Sequence, residues 1–267
     1  MLFNVLHTDW ILNVAAVAAR LKSGLAGAKN RSERAWQLRS SDLRLLRADP
    51  GYVSRAGSNN VHFILARPAV NSPPDAYFDS CSRQGSPMNL IGTYTWFHTS
   101  AILKAQRIAA GNLNEDQFSL LACAALADEA FAIHFLEDGF ASGHVAGIWG
   151  NAALRKGTHD YYDEYGLEVT TWQGARTVLT GDAYMRPADA DRAAAAVTLS
   201  LEQLIDATDR KYTPPLFNDQ PGVFVPDTFN IAHAVVMPFR QTDPAFRQLF
   251  DRVLMLTPVP GLATGLG

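Results

Sequence analysis

The sequence predicts an all-α protein built as a multi-helix bundle. Several long segments place apolar residues at helical spacing, helix start and stop signals flank these segments, and no block of alternating residues indicates a sheet. With 267 residues, of which 48% are apolar, the chain can bury a sizeable core. We therefore predict a single helical domain over residues 1–267, with long connections between the helices.

The N-terminal third is predicted to hold two helices and an irregular insertion. Residues 8–23 form one helix, and residues 32–47 form a second, which an Asp-Pro-Gly sequence then ends because proline cannot continue a helix. Residues 50–87 are rich in Ser, Asn, Gly and Pro. This composition predicts an insertion with at most a short strand at residues 61–66.

Two long helices are predicted in the middle of the chain. Apolar residues keep a helical period from about residue 89 to residue 110. Asn114 is placed to cap the next helix, with Gln117 at the capping-box position. That helix extends to about residues 142–143, and its apolar character on nearly every face predicts a central helix packed on several sides.

The C-terminal half is predicted to be helical but interrupted by loops. A helix covers roughly residues 152–165, another segment begins near Trp172, and an alanine-rich helix runs from Ala188 to Thr208 with Pro187 in its first turn. The tail, about residues 211–267, is rich in loops because of its prolines. Two short candidate helices in this tail are 229–236 and 244–256.

Charge and hydropathy restrict the class of function. A net charge of -3 and a pI near 6.1 leave no large basic excess, so we expect no extended nucleic-acid-binding surface. No uninterrupted apolar stretch approaches the roughly 18 residues of a membrane span, so we predict no transmembrane segment. Both ends of the sequence are abrupt, and we expect it to be a piece of a longer protein.

Histidines and aspartates cluster in one segment, and this clustering carries the functional prediction. His134 and Asp138 are four residues apart, so they lie on one helix face and can contact one ion. His159 and Asp163 repeat this spacing. His144 follows at a predicted helix break that can turn its ring back toward the first pair. Imidazole nitrogens mixed with carboxylate oxygens favour zinc over calcium or magnesium.

The apolar surroundings of Asp138 strengthen the prediction of a metal site. A lone histidine on an apolar helix is more often a core residue than a ligand. A buried carboxylate, however, costs on the order of several kcal/mol unless it is paired or metal-bound. No Lys or Arg lies one helical turn before or after Asp138.

The pattern H-x3-D-x5-H, followed about fifteen residues later by H-x3-D, resembles the zinc-dependent phospholipase C and S1/P1 nuclease superfamily. Members are all-helical enzymes that hold three zinc ions and hydrolyse phosphodiester bonds. The resemblance implies that Asp138, the catalytic candidate, bridges two metals beside His134. It implies that His144, His159 and Asp163 hold another zinc. It also implies a cofactor of two or three Zn²⁺ ions, a phosphodiester or phospholipid substrate, and an extracytoplasmic or periplasmic location.

The upstream part of this family pattern is not matched. Family members use their mature N-terminal residue, often Trp, as a ligand, then a histidine on the first helix, and an Asp and a His before the H-x3-D pair. Met1 is not such a residue, and the upstream histidines here are His7, His62 and His98. His98 could match the first-helix histidine. His62 could fill the upstream position if the chain order differs from the family's.

Two other interpretations remain open. The doublet of His159 and Asp160 resembles the HD-type metal-dependent phosphohydrolases, in which His134 or His144 together with Asp182 would complete the metal site. A third interpretation makes the zinc structural, in a non-catalytic helical domain of a larger membrane or envelope protein. A closed set of four protein ligands per ion would favour a structural role, whereas an open position would favour catalysis.

The motif residues do not fix the substrate. Recognition of a nucleobase would need aromatic side chains for stacking, although aromatic residues on helices more often serve packing. The aromatic candidates are Tyr94, Trp96, Trp149, Tyr161, Tyr162 and Trp172.

Overall fold

The computed structural model describes four main parts of the chain and a few isolated residues. These parts are 11–49, 60–146, 159–209 and 250–262, with residues 211, 234, 236 and 237. Within them the protein is mostly helical, with one small two-stranded sheet. The predicted all-α character is therefore confirmed at this level.

The N-terminal helices form a hairpin. Helix α1 spans Ile11–Gly27 and helix α2 spans Arg31–Ala48, and the two pack against each other. Asn30 caps α2, because its side chain accepts a hydrogen bond of 2.9 Å from the backbone N–H of Glu33. Both predicted N-terminal helices are confirmed.

The insertion predicted at 50–87 contains regular structure in its described residues. Asn60–His62 form one 3₁₀ turn, and helix α3 spans Pro74–Ser82. The strand predicted at 61–66 was wrong, since the chain there makes a helical turn that buries Val61. Proline at the start of α3 is tolerated because the first N–H groups of a helix have no intrahelical partner.

Two long helices form the middle of the described chain. Helix α4 spans Leu90–Ala110, and helix α5 spans Glu115–Asp138. Asn114 and Gln117 form the predicted capping box at the start of α5, with both reciprocal hydrogen bonds present. The α4 and α5 pair makes the most extensive helix contact of the described chain.

Helix α5 buries one side only. Its buried residues are Ala125, Glu129, Ala132, Phe135 and Leu136. Leu120 and Leu126 are 75% and 60% exposed, so the prediction of a helix packed on several sides was wrong. Periodicity alone cannot distinguish a buried apolar face from an exposed one. Among the described residues, α5 is the one helix long and apolar enough to cross a membrane, a property that core helices also have.

Two short helices follow α5. The helix ends at Asp138, about four residues earlier than predicted, and helix α6 spans Ser142–Ala146. Helix α7 spans His159–Tyr165, which confirms the described end of the helix predicted at 152–165. The earlier residues of that prediction lie outside the described parts.

A β-hairpin connects α7 to the last long helix. Strand β1, Leu167–Thr170, pairs antiparallel with strand β2, Arg176–Leu179. The segment predicted to begin near Trp172 is the connection of this hairpin, where Gly174 takes the positive φ of 89° that such a turn needs. The alternating, β-branched strands were not recognised because each has only four residues.

After a 3₁₀ turn at Asp182–Tyr184, helix α8 spans Pro187–Thr208, as predicted. Residues 250–254 are helical and lie inside the predicted 244–256. The candidate helix at 229–236 lies outside the described residues, except for residues 234 and 236. Buried side chains of α3, α4, α5, α8, the hairpin and residues 250–254 form one core.

Candidate metal centre

Asp138, the last residue of α5, lies between two groups of histidines. Its Oδ2 is 2.5 Å from His62 Nδ1 and 4.0 Å from His134 Nε2. Its Oδ1 is 3.3 Å from His144 Nδ1. The two oxygens of one carboxylate therefore face two different sets of imidazoles.

The first set is named site A and consists of His62, His134 and Asp138. Each of them offers one ligand atom, and these atoms lie within 4.8 Å of one another. The ring of His62 contacts both His134 and Phe135, with centroids 5.0 Å apart in each case. The side chain of His134 is 53% exposed, so site A opens toward solvent.

The second set is named site B and consists of His144, His159 and Asp182. Their ligand atoms also lie within 4.8 Å of one another, and the two imidazole centroids are 4.7 Å apart. Nε2 of His159 is 3.7 Å from Asp182 Oδ2 and 3.3 Å from Asp163 Oδ2. The predicted residue Asp163 therefore borders site B as well.

Asp163 directs one oxygen toward His159 at site B. Its Oδ1 accepts hydrogen bonds from the Gly143 N–H, at 2.7 Å, and from the Ser142 hydroxyl, at 3.1 Å. Its Oδ2 is buried and has no hydrogen-bond partner among the described residues. Its nearest charged group is His159 Nε2, at 3.3 Å, and a bound cation would supply the bond that this buried oxygen lacks.

Two glycines permit the close packing around Asp163. A Cβ atom on Gly181 would lie 1.8 Å from Asp163 Oδ1, and one on Gly143 would lie 2.5 Å from Asp163 Oδ2. The next residue, Asp182, has a φ of 46°, a left-handed conformation that aspartate adopts more readily than most residues. The turn after β2 thus brings the Asp182 carboxylate to site B.

Neighbouring charges of opposite sign shift the pKa values of Asp138 and His159. Burial alone would raise the pKa of Asp138, but the neighbouring imidazoles of His144 and His62 lower it to about 2. Burial opposes the charge of His159, yet its hydrogen bond to Asp160 and the nearby carboxylates raise its pKa to about 9. Asp138 is therefore a carboxylate at neutral pH.

The pKa of Asp163 is shifted upward, in the opposite direction from that of Asp138. Burial and the charge of Asp182 raise its pKa to about 6, although His159 partly offsets them. Two carboxylates that approach one imidazole repel each other. A divalent cation at site B would relieve this repulsion, which is a second reason why these residues fit a metal.

His98 does not join either site. It is fully buried, with Nδ1 2.6 Å from Glu129 Oε2 and Nε2 2.9 Å from Gln203 Oε1. Tyr94 stacks on its ring at 5.3 Å, and the Tyr94 hydroxyl is 2.9 Å from Ser200 Oγ. Because both of its ring nitrogens have protein partners, His98 is placed as a core histidine. His7 lies outside the described residues.

An open groove of about 510 Å³ runs beside the metal centre, between the end of α5 and the first half of α8. Its lining residues are Glu137, Asp138, Ala141, Asp182, Met185, Ala190, Ala193, Ala194, Val197 and Thr198. Since Asp138 and Asp182 belong to sites A and B, the groove reaches both sites.

Sequence analysis identified the downstream residues of the centre but not its whole composition. The structure brings together His134, Asp138, His144, His159 and Asp163, with His62 from a distant turn. Asp182 was considered only for an HD-type site. No protein-family model, curated protein or solved structure matches this chain.

Proposed function

We propose that this chain is a metal-dependent phosphoesterase of the phospholipase C/P1 nuclease type, with divalent ions at sites A and B. The observation that carries the proposal is the position of Asp138, whose Oδ2 faces His62 and His134 while its Oδ1 faces His144. A carboxylate in this position can bridge two ions. Adjacent ions that share a carboxylate are typical of enzymes that hydrolyse phosphate esters.

The ligand chemistry favours zinc. Sites A and B combine imidazole nitrogens with carboxylate oxygens, whereas calcium and magnesium prefer oxygen ligands alone. Site A has three protein ligands and a half-exposed edge at His134, which leaves room for water or substrate. This favours a catalytic site over a closed structural one.

The chemistry follows from the ions and from the residues around them. Bound zinc ions would lower the pKa of water and polarise a phosphoryl oxygen. Asp138 holds its negative charge well below neutral pH, so it stays a ligand at the working pH of most enzymes. Asp163, anchored by Gly143 and Ser142, fixes the position of His159.

Glu137 supplies a second carboxyl group at the groove. In the metal-free chain, burial and the charge of Asp138 raise its pKa. It lines the groove next to the metal centre. We infer that Glu137 can donate a proton to the leaving oxygen of a phosphoester held there.

Metal content and hydrolysis together test the proposal. The wild-type chain, prepared with zinc, should contain at least two ions per chain by elemental analysis and should hydrolyse bis(4-nitrophenyl) phosphate. His144→Ala should lose the ion at site B, and His134→Ala should lose the ion at site A. A wild-type chain that binds no metal would contradict the proposal, as would a metal-loaded chain with no hydrolysis of any phosphoester.

The HD-type phosphohydrolase is the second candidate, and one observation favours it. Asp182 shares site B with His144 and His159, as that interpretation predicted. Asp160, however, is 72% exposed and contacts Nδ1 of His159, whereas Asp163 and Asp182 approach Nε2. Since the HD-type interpretation needs Asp160 as a ligand and leaves Asp163 without a role, we rank it second.

A further inference from the structure

Charge is distributed unevenly along this chain. Residues 11–49, which form the hairpin of α1 and α2, contain eight Lys and Arg residues but three Asp and Glu residues, a net charge of +5. Because the whole chain has a net charge of -3, its remaining residues have a net charge of -8. The hairpin is therefore a basic element of an otherwise acidic chain.

The basic side chains of the hairpin are available to a partner. All eight are exposed, and none forms an ion pair with another residue that the structure describes. The described ion pairs of Lys and Arg lie elsewhere, at Lys104, Arg176, Arg186, Arg192 and Lys211. An anionic partner can therefore neutralise the charges of the hairpin without first breaking a described ion pair.

Helix α2 presents apolar and basic side chains on one outward face. Trp36, Leu43 and Leu46 are 57%, 60% and 39% exposed. Arg39 and Arg47 lie three and eleven residues after Trp36, a spacing that places them on the same face of the helix. These five residues are named the α2 face. Exposed apolar side chains that are grouped in this way, beside guanidinium groups, are typical of an interaction surface.

The α2 face belongs to a helix that packs against the metal centre. Helix α2 contacts the 3₁₀ turn Asp182–Tyr184, and the guanidinium of Arg31 lies 4.4 Å from the centroid of the Tyr184 ring. Asp182, in the same turn, is a residue of site B. A partner that binds α2 is therefore connected to site B through one helix and one turn.

The composition of the α2 face favours a membrane surface over other anionic partners. The phosphates of a nucleic acid can pair with arginines, but they leave the exposed leucines without an apolar contact. A bilayer with anionic lipids offers both kinds of contact, because its headgroups attract Lys and Arg while its interface favours Trp and its acyl chains accept leucine. Leu12, which is 78% exposed at the start of α1, lies at the same end of the hairpin as Leu46 and extends the apolar surface.

We propose that the α2 face docks this protein on a membrane that contains anionic lipids, with Arg39 and Arg47 at the headgroups and Trp36 and Leu43 inserted between them. No residue of the α2 face belongs to site A or site B. The inference therefore goes beyond the proposed function and depends neither on hydrolysis nor on the identity of a substrate.

Sedimentation of the full chain with lipid vesicles tests the docking. Vesicles of phosphatidylcholine mixed with phosphatidylglycerol should be bound at least about 20-fold more tightly than vesicles of phosphatidylcholine alone, since each basic side chain at an anionic surface contributes about fivefold. Added NaCl should weaken the binding. The affinity should be the same with zinc and with a chelator, which prevents metal-dependent hydrolysis during the measurement.

Two double variants with the same change in net charge locate the contact. Arg39→Gln/Arg47→Gln should weaken binding to the anionic vesicles by about 20-fold. Arg83→Gln/Arg107→Gln alters two exposed residues at the ends of α3 and α4. It should weaken binding by less than about threefold, because charges far from the contact are screened.

A second pair of variants tests the insertion of an apolar side chain. Trp36→Ala should weaken binding to the anionic vesicles by about tenfold, because the indole ring no longer leaves water on docking. Leu120→Ala removes a side chain of α5 that is 75% exposed but lies outside the α2 face. It should leave the affinity for vesicles unchanged.

The outcomes separate docking on a membrane from its alternatives. No binding to anionic vesicles, or equal losses in the α2-face variants and their controls, would overturn the inference. A single-stranded oligonucleotide that binds the wild type but not Arg39→Gln/Arg47→Gln, without vesicle binding, would assign the α2 face to nucleic acid instead. A concentration-dependent dimer lost in the same variant, again without vesicle binding, would assign it to a second copy of the chain. Vesicle binding by a zinc-loaded chain that hydrolyses no phosphoester would support docking and overturn the proposed function alone.

Discussion

His62 and Asp138 are separated by 76 residues in sequence, and their side chains meet at 2.5 Å between Nδ1 and Oδ2. The contact joins the 3₁₀ turn at Asn60–His62 to the end of α5. It completes site A and leaves the other oxygen of Asp138 directed toward His144 at site B. One carboxylate thus connects two candidate metal sites.

Asp138→Asn should remove activity and metal together. The amide keeps the size of the side chain but loses the charge that a bridging ligand supplies, so we expect kcat/KM for a phosphodiester to fall by at least about 100-fold. Elemental analysis should show fewer ions per chain. Asp116→Asn makes the same change in the first turn of α5, at the opposite end of the helix, and should alter neither quantity. Full activity of Asp138→Asn would exclude a bridging role.

Asp160→Ala separates the two enzyme interpretations. Asp160 is 72% exposed and contacts Nδ1 of His159 at 3.1 Å, on the side of the ring away from Asp163 and Asp182, so its loss should lower kcat/KM by at most about tenfold. In an HD-type enzyme the same residue is a metal ligand, and the substitution would abolish activity. Steady-state kinetics on the zinc-loaded Asp160→Ala variant decide between the two interpretations. Asp182→Ala is the comparison, because it should lower the metal content of site B.

The local features of the fold could be predicted from sequence because they depend on neighbouring residues. The capping box of Asn114 and Gln117 and the four-residue spacing of His134 and Asp138 are examples. Leu126 shows the limit of such reasoning. Its helix has the apolar periodicity of a buried helix, yet Leu126 is 60% exposed. The sequence pattern does not indicate which apolar residues are packed against other elements.

The sequence named His62 and Asp182 only conditionally, the first if the chain order differs from the family's and the second for an HD-type site, because the positions of both depend on tertiary structure. His62 reaches Asp138 only through the packing of its turn against α5, and nothing near it in sequence resembles a ligand motif. Asp182 depends on the left-handed conformation of its own backbone after the hairpin. A Gly-Asp pair that follows a strand was the available signal, and it is common in ordinary turns.

His98→Ala should lower stability but not metal content, whereas His134→Ala should lower metal content with little loss of stability. Loss of the His98 ring removes the contacts to Glu129 Oε2 and Gln203 Oε1 in a buried site, while Ser200 still donates to Glu129 Oε1, so the free energy of unfolding should fall by about 3 kcal/mol or more. The metal content per folded chain should be unchanged. His134 is half-exposed, and its substitution should lower metal content with less than about 1 kcal/mol of destabilisation in the metal-free protein. Denaturant unfolding and elemental analysis measure both effects, and a loss of metal in folded His98→Ala would restore His98 as a ligand.

The stability of the metal-free protein should depend on pH through His159. Its pKa is raised in the folded state from 6.5 to about 9, so its protonated form stabilises the fold below pH 6.5 and this contribution is lost as pH rises through 9. The decrease in unfolding free energy should be about 3 kcal/mol at most.

His159→Gln provides the control for this pH dependence, since it should flatten the profile between pH 6.5 and 9. In the zinc-loaded wild type the trend should reverse, because a zinc-bound imidazole must be neutral and protons compete with the metal. Equal slopes for the metal-free wild type and His159→Gln would contradict the assignment.

Gly181→Ala should disrupt site B by steric overlap, without changing any charge. The new Cβ atom would lie 1.8 Å from Asp163 Oδ1 and 3.0 Å from the Cβ of Ala141, so the Asp163 carboxylate must move away from the position in which Gly143 and Ser142 hold it. We expect the free energy of unfolding to fall by about 1–3 kcal/mol, and the metal content of site B to fall with it. Gly27→Ala is the matched control, because nothing lies within 4 Å of its added Cβ and its effect should be neutral or stabilising. If Gly181→Ala has wild-type stability and metal content, Asp163 can leave its anchored position at no cost. The assignment of Asp163 as the residue that positions His159 would then be wrong.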